Sequence, residues 1–143
     1  MSGQNMMQGG CLCNAVKLST TNKHQEVGAC HCGMCRKWGG GSLLVIDCGS
    51  DISFTGEENI TVYPSSEWGE RGFCNKCGSH LFYRLKENNQ YYIPAGIFDN
   101  SEGLVFDHQI FIDEKPEYYS FANKTKNMTG EEVFAMLAAS SEP

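Results

Sequence analysis

The segment Phe73-Cys74-Asn75-Lys76-Cys77-Gly78-Ser79 decides how the rest of the chain is read. Two cysteines separated by two residues let a tight turn aim both sulfurs at one ion, and a glycine behind the second relieves backbone crowding there. Such a turn is half of a four-sulfur metal centre, so the other half has to come from elsewhere. Two further clusters stand outside it: Cys11 and Cys13 in GGCLCN (9–14), and Cys30, Cys32 and Cys35 in CHCGMC (30–35). Of the 8 cysteines, only Cys48 falls outside the three clusters.

The length of 143 residues fits one domain, and the hydrophobic share of 41% is enough for one core and argues against extensive disorder. The formal net charge of -6 disfavours broad affinity for nucleic acid or for anionic membranes. MSGQNMMQGGCLC (1–13) lacks the charged start and apolar run of a secretory signal, and GGSLLVIDC (40–48) is too short to span a bilayer. The expectation is a soluble, cytoplasmic protein in a reducing compartment, where clustered thiols tend to serve metal binding or chemistry, with disulfides or thiols packed in the core as the alternative.

For the knuckle at Cys74 and Cys77, the compact partner is Cys11 with Cys13, and a metal joining these pairs closes a long loop and adds to folding free energy. Cys30, Cys32 and Cys35 then supply three ligands, leaving the fourth position of a tetrahedral zinc for water or substrate. Spacing alone leaves other partitions open, among them Cys74 and Cys77 joined to Cys30 and one of its neighbours. His31 is a candidate fourth ligand, with packing or proton transfer as its alternatives. Arg36 and Lys37 place positive charge beside the cluster, suited to an anionic thiol or to negative charge developing on a carbonyl oxygen, or else they are solvated surface groups. Gly39, Gly40 and Gly41 permit close backbone approach. Cys48, after the apolar LLVID, reads as a packed free thiol.

Weaker signals surround these. Tyr91, Tyr92, Gly96 and Phe98 could wall a pocket or pack a core. Arg71 could contact an acidic ligand or decorate the surface, and His24, His80 and His108 show no spacing of a metal triad. There is no phosphate-binding loop, dinucleotide glycine pattern or nucleophilic-serine elbow.

Period-two alternation and branched residues predict short strands at 15–20, 42–48, 52–54, 60–63, 79–86 and 108–112, and a strand from Tyr91 ending irregularly at Pro94. A C-terminal helix begins at Thr129, which forms a reciprocal capping box with Glu132, and a helical turn is expected in KPEYYSFA (115–122). Residues 1–8 read as a flexible lead and 9–143 as a single zinc-binding domain. The class is mainly β, with several short antiparallel sheets and a short C-terminal helix.

GGCLCNAVKL, CHCGMCRKWGG, RGFCNKCGSHLFYR, PAGIFD and HQIFIDEKPEYY, in that order, resemble the glutathione-dependent formaldehyde-activating enzyme family, also described as centromere-protein-V-like. The resemblance covers roughly residues 9–119. It implies an Mss4-like fold, a structural zinc at Cys11, Cys13, Cys74 and Cys77, and a catalytic zinc at Cys30, Cys32 and Cys35. It further implies a carbon-sulfur lyase that joins glutathione to formaldehyde, or reverses that addition, through S-(hydroxymethyl)glutathione. Glutathione is then the co-substrate, and the partners are a small aldehyde and a low-molecular-mass thiol. Asn14 stands where members of the family often carry glycine, which bears on the backbone there. The rival reading is a zinc-stabilised protein or nucleic-acid interaction domain without catalysis.

Overall fold

A computed structural model describes residues 6–21 and 23–141. They fall into two compact units, each discontinuous in sequence. The first takes the chain up to Gln25 together with Val45–Leu104; the second takes Glu26–Leu44 and the chain from Val105 onward.

In the first unit, strands β1 (Met6–Gly10), β2 (Lys17–Thr21) and β5 (Ser53–Thr55) form a small antiparallel sheet in the order β1-β2-β5. Residues 6–8, expected in the flexible lead, are therefore strand, and residues 1–5 of that lead lie outside the described residues. Gly9 is what admits this strand: an added Cβ would collide with the backbone of Ile97 and Phe98, and Gly9 bridges to Phe98. A second antiparallel ladder runs β4-β9-β8-β7-β6, from β4 (Leu43–Gly49) through β9 (Gln90–Pro94), β8 (His80–Leu85) and β7 (Gly69–Cys74) to β6 (Ile60–Tyr63). Pro94 ends β9 as expected of a residue without an amide hydrogen, and a 3-10 turn at Ala95–Ile97 follows. Val16, Leu18, Ile46, Cys48, Leu81 and Ile93 are buried at the centre of this unit.

The second unit holds β3 (Glu26–Cys30), α1 (Gly33–Gly39), β10 (Val105–Ile110), β11 (Lys126–Met128) and α2 (Gly130–Ser141). Here β10 pairs in parallel with both β3 and β11, a departure from the antiparallel sheets expected. The cause is the length of the connections: residues 31–104 separate β3 from β10 and residues 111–125 separate β10 from β11, long enough to return the chain to the same end. Gly28 lies against the His108 ring, with no room for a Cβ. The helical turn expected in 115–122 does not form; a 3-10 turn occurs just before it, at Ile112–Glu114, and Pro116 follows. It is introduced by Phe111 in the left-handed region (φ 54°). The capping box of α2 is present, with the Thr129 amide donating to Glu132 Oε1 (2.8 Å) and the Glu132 amide to Thr129 Oγ1 (3.2 Å). Among the described residues no helix is long and apolar enough to cross a membrane.

Candidate metal centres

The first unit brings Cys11, Cys13, Cys74 and Cys77 together, their sulfurs all within 4.8 Å of one another. Cys13 Sγ lies 3.7 Å from Cys11 Sγ and 3.7 Å from Cys74 Sγ. A tetrahedron with metal-sulfur bonds of about 2.3 Å has sulfur-sulfur edges of about 3.8 Å, so the donor set fits zinc in type, number and spacing. Both half-sites use one device. After each pair the backbone turns through a left-handed residue, Asn14 (φ 66°) and Gly78 (φ 80°). Asparagine is among the few residues that enter this region readily, so the local backbone is kept where glycine is replaced. Amide hydrogens then point at sulfur: Val16 N–H at Cys11 (3.3 Å) and Lys76 N–H at Cys74 (3.4 Å). Ser79 links the two halves, its Oγ accepting from the Leu12 amide (3.1 Å) and lying 3.2 Å from Cys77 Sγ.

The thiols compete for ionisation. The Ser79 hydroxyl and amide hold the Cys77 thiol down to about 5. At Cys13 the Ala15 backbone favours the thiolate, but desolvation and the sulfurs of Cys77, Cys11 and Cys74 outweigh it and push the thiol up to about 11. A divalent cation removes this conflict, because each thiolate then has an opposite charge beside it.

The second unit gathers Cys30, Cys32 and Cys35, also with their sulfurs within 4.8 Å. Cys30 ends β3, and Cys32 is the N-cap of α1, its sulfur accepting from the Cys35 amide (3.4 Å). Cys30 and Cys35 are buried, while Cys32 is partly exposed. The sulfurs of Cys32 and Cys35, and then burial, push the Cys30 thiol far up, so three thiolates need a cation here too. The donor set fits a zinc with one position open to a small molecule.

His31 is not a fourth donor. Its ring is fully buried, with Nδ1 2.6 Å from the Tyr119 hydroxyl and Nε2 2.7 Å from Gln109 Oε1. Arg36 donates from Nε to the His31 carbonyl (3.0 Å), bracing the turn between the ligands, and Lys37 is exposed. Glu114 Oε1 accepts from the Gly33 amide (3.0 Å) at the start of α1. The run Gly39 to Gly41 meets no close backbone, contrary to expectation; its use is that Gly40 (φ 88°) closes α1 in the left-handed region.

Elsewhere, Cys48 is fully buried and its thiol is pushed up to about 12 by desolvation, as a packed thiol should be. Arg71 is buried, not surface decoration: it lies over the Tyr83 ring and donates to Ser65 Oγ (3.2 Å). Tyr91 packs with Phe54 and Phe82, and Tyr92 with Tyr83, while Phe98 is buried. His24 bonds to Asp51, and His108 to Asp107. Ser79, Gln109, Glu114 and Tyr119 were not singled out by sequence. The signal for Ser79 was its place two residues beyond Cys77; the other three come from remote segments and had none.

The sequence pattern of the family described as glutathione-dependent formaldehyde-activating enzyme matches residues 6–114. An uncharacterised lyase of Schizosaccharomyces pombe is 38% identical over 131 residues, covering 91% of this chain and 96% of its own. A Halomonas elongata protein, provisionally named as a glutathione-dependent formaldehyde-activating enzyme, is 30% identical over 86 residues, covering 54% of this chain and 55% of its own. A solved Rhodobacter sphaeroides protein is similar in structure, with a TM-score of 0.57 and 26% identity over 66% of this chain and 89% of that one. With the family pattern running through both cysteine centres, this chain belongs to the glutathione-dependent formaldehyde-activating enzyme family.

Proposed function

We propose that the chain is a zinc-dependent carbon-sulfur lyase that forms or breaks an aldehyde-thiol adduct, S-(hydroxymethyl)glutathione from glutathione and formaldehyde, in the cytoplasm. Family membership supports the reaction class. The observation that carries the reading to particular residues is the set of three sulfurs at Cys30, Cys32 and Cys35, one short of a closed tetrahedron, where the other cluster supplies a complete set of four.

In this reading Cys11, Cys13, Cys74 and Cys77 hold a structural zinc, and Cys30, Cys32 and Cys35 hold a catalytic one. A zinc at the latter supplies a Lewis acid that favours the thiolate of a bound thiol or polarises an aldehyde oxygen. Addition forms the carbon-sulfur bond, the thiol proton ending on the carbonyl oxygen; the reverse breaks that bond and returns the proton to sulfur. The chain's own part is to hold and orient. The Cys35 amide stabilises negative charge on Cys32, while Cys30 and Cys35 are screened from water by burial. Arg36 is tethered at its Nε, so its cationic charge stays beside the ligands, and Lys37 offers a second cation to an anionic thiol.

Exchange spectroscopy of glutathione with formaldehyde tests this, comparing zinc-loaded protein, metal-free protein and a folded Cys35→Ser variant against the enzyme-free rate. The loaded wild type should accelerate both directions, and the other two should not. A wild type that matches the enzyme-free control across a panel of aldehydes and small thiols would leave an interaction domain as the better reading. Elemental analysis should give two zinc ions per chain; a reproducible one, with every cysteine intact, rejects the second centre.

A further inference from the structure

The side chain between two of the three sulfurs is bound more thoroughly than packing requires. His31 is fully buried and both ring nitrogens are engaged. On the Nε2 side the partners form a chain of fixed direction. Thr125 donates to Asn127 Oδ1 (2.6 Å), so its oxygen accepts from Gln109 Nε2 (2.8 Å), which turns Gln109 Oε1 toward the imidazole as an acceptor. Nε2 therefore carries a hydrogen, and in the neutral ring Nδ1 accepts from the Tyr119 hydroxyl. Tyr119 is itself fixed: Lys115 Nζ donates to its carbonyl (2.6 Å) and to that of Pro116 (3.0 Å), and Phe121 packs against both Tyr119 and His31. All these residues belong to the second unit.

We propose that Tyr119 and His31 are positioning residues of the three-thiolate centre, the phenol and the Gln109 amide gripping the imidazole from opposite sides so that the turn carrying Cys30 and Cys32 keeps one geometry. Residues 30 and 32 flank residue 31, so anchoring its ring on both sides restrains the backbone from which both sulfurs project. This rests on the proposed metal at Cys30, Cys32 and Cys35 and adds the groups that hold the ligands in place. Partners behind metal ligands are worth about 10- to 100-fold in affinity or activity.

The test is Tyr119→Phe, which keeps the ring and its packing and removes only the hydroxyl. Full-length protein loaded with cadmium-113 should show two resonances, one for four sulfurs and one for three, the latter assigned by its loss in Cys35→Ser. Tyr119→Phe should shift or broaden the three-sulfur resonance and speed metal loss to a chelator from that centre about tenfold, with the four-sulfur resonance and the melting temperature unmoved. Imidazole nitrogen shifts should report hydrogen on Nε2 and an accepting Nδ1 in the wild type, altered at Nδ1 in the variant. Gln109→Leu provides a second break in the grip and should act on the same resonance. Two intact resonances and unchanged release in both variants overturn the proposal while leaving the metal assignment standing. Parallel changes at both centres with a lowered melting temperature also overturn it, since they indicate general loosening. A wild type without a three-sulfur resonance refutes instead the metal assignment on which it rests.

Discussion

Removing two sulfurs from each cluster in turn should expose a difference in what the metals proposed there do for the fold. Cys74→Ser with Cys77→Ser cuts the link between sequence positions 61 apart, the separation of Cys13 and Cys74. A cross-link closing a loop of that size restricts the unfolded chain by about 4 kcal/mol. Cys30→Ser with Cys35→Ser opens only a short local loop, for which the same relation gives about 2 kcal/mol. Packing losses are small in both variants because serine is close in size to cysteine, and any imbalance falls on the 30 and 35 pair, both buried, since Cys77 is only partly buried beside the buried Cys74. The difference of about 2 kcal/mol corresponds to about 6 °C in melting temperature for a chain of this length. Thermal unfolding of the two zinc-loaded double variants, followed by circular dichroism, measures it. If the pair at 30 and 35 destabilises as much as the knuckle, or more, long-range closure is not what distinguishes the four-sulfur centre.

Three further outcomes follow from individual contacts. Ser79→Ala, which removes the hydroxyl between Leu12 and Cys77, should speed metal loss from the four-sulfur centre about tenfold in a chelator assay and leave the three-sulfur centre unchanged. Thr129→Ala removes the N-cap acceptor of α2 and should lower stability in denaturant titration by about 1 kcal/mol. The Thr21 hydroxyl, with His24, the Thr21 amide and Thr20, holds the Asp51 carboxyl well below the usual carboxylate range against desolvation. Its stabilising effect is therefore fully present above about pH 4, the unfolded value, and is lost as pH falls toward the folded one, so Asp51→Asn should flatten the acid limb of the stability curve.

The sequence made most of both centres legible because their chemistry is written in short spacings. Cysteines two or three positions apart can meet only in a tight turn, and a turn with four nearby sulfurs asks for a cation. Local patterns likewise placed β2, β4, β6, β8 and α2, and Thr129 with Glu132 specified the start of α2 through contacts three residues apart. What escaped depends on distant partners. β3, in Glu26–Cys30, is short and contains Gly28, a poor strand former whose missing side chain makes sense only beside the His108 ring. The parallel pairing of β10 is invisible to alternation, which has the same period in either direction. His31 could be read as a ligand because its neighbours are ligands; Gln109 and Tyr119, 78 and 88 positions away, are what take its nitrogens.

The two cysteine clusters also differ in the backbone that presents them, and this gives a physical reason why one gathers four sulfurs and the other three. At the four-sulfur site two turns face each other, each finished by a left-handed residue and each aiming an amide at sulfur, so the protein supplies donors from two separate stretches of chain. At the three-sulfur site all donors come from one stretch, a strand end running into a helix cap. There the Cys35 amide is spent on Cys32 and the Gly33 amide on Glu114. His31, which lies between Cys30 and Cys32 in sequence, has both ring nitrogens taken by Tyr119 and Gln109. A histidine free to rotate beside three thiolates would complete a closed tetrahedron of the kind found in structural zinc sites. In the proposed reading, gripping it fixes the turn that bears Cys30 and Cys32 and keeps the imidazole from closing the fourth position of a metal bound there.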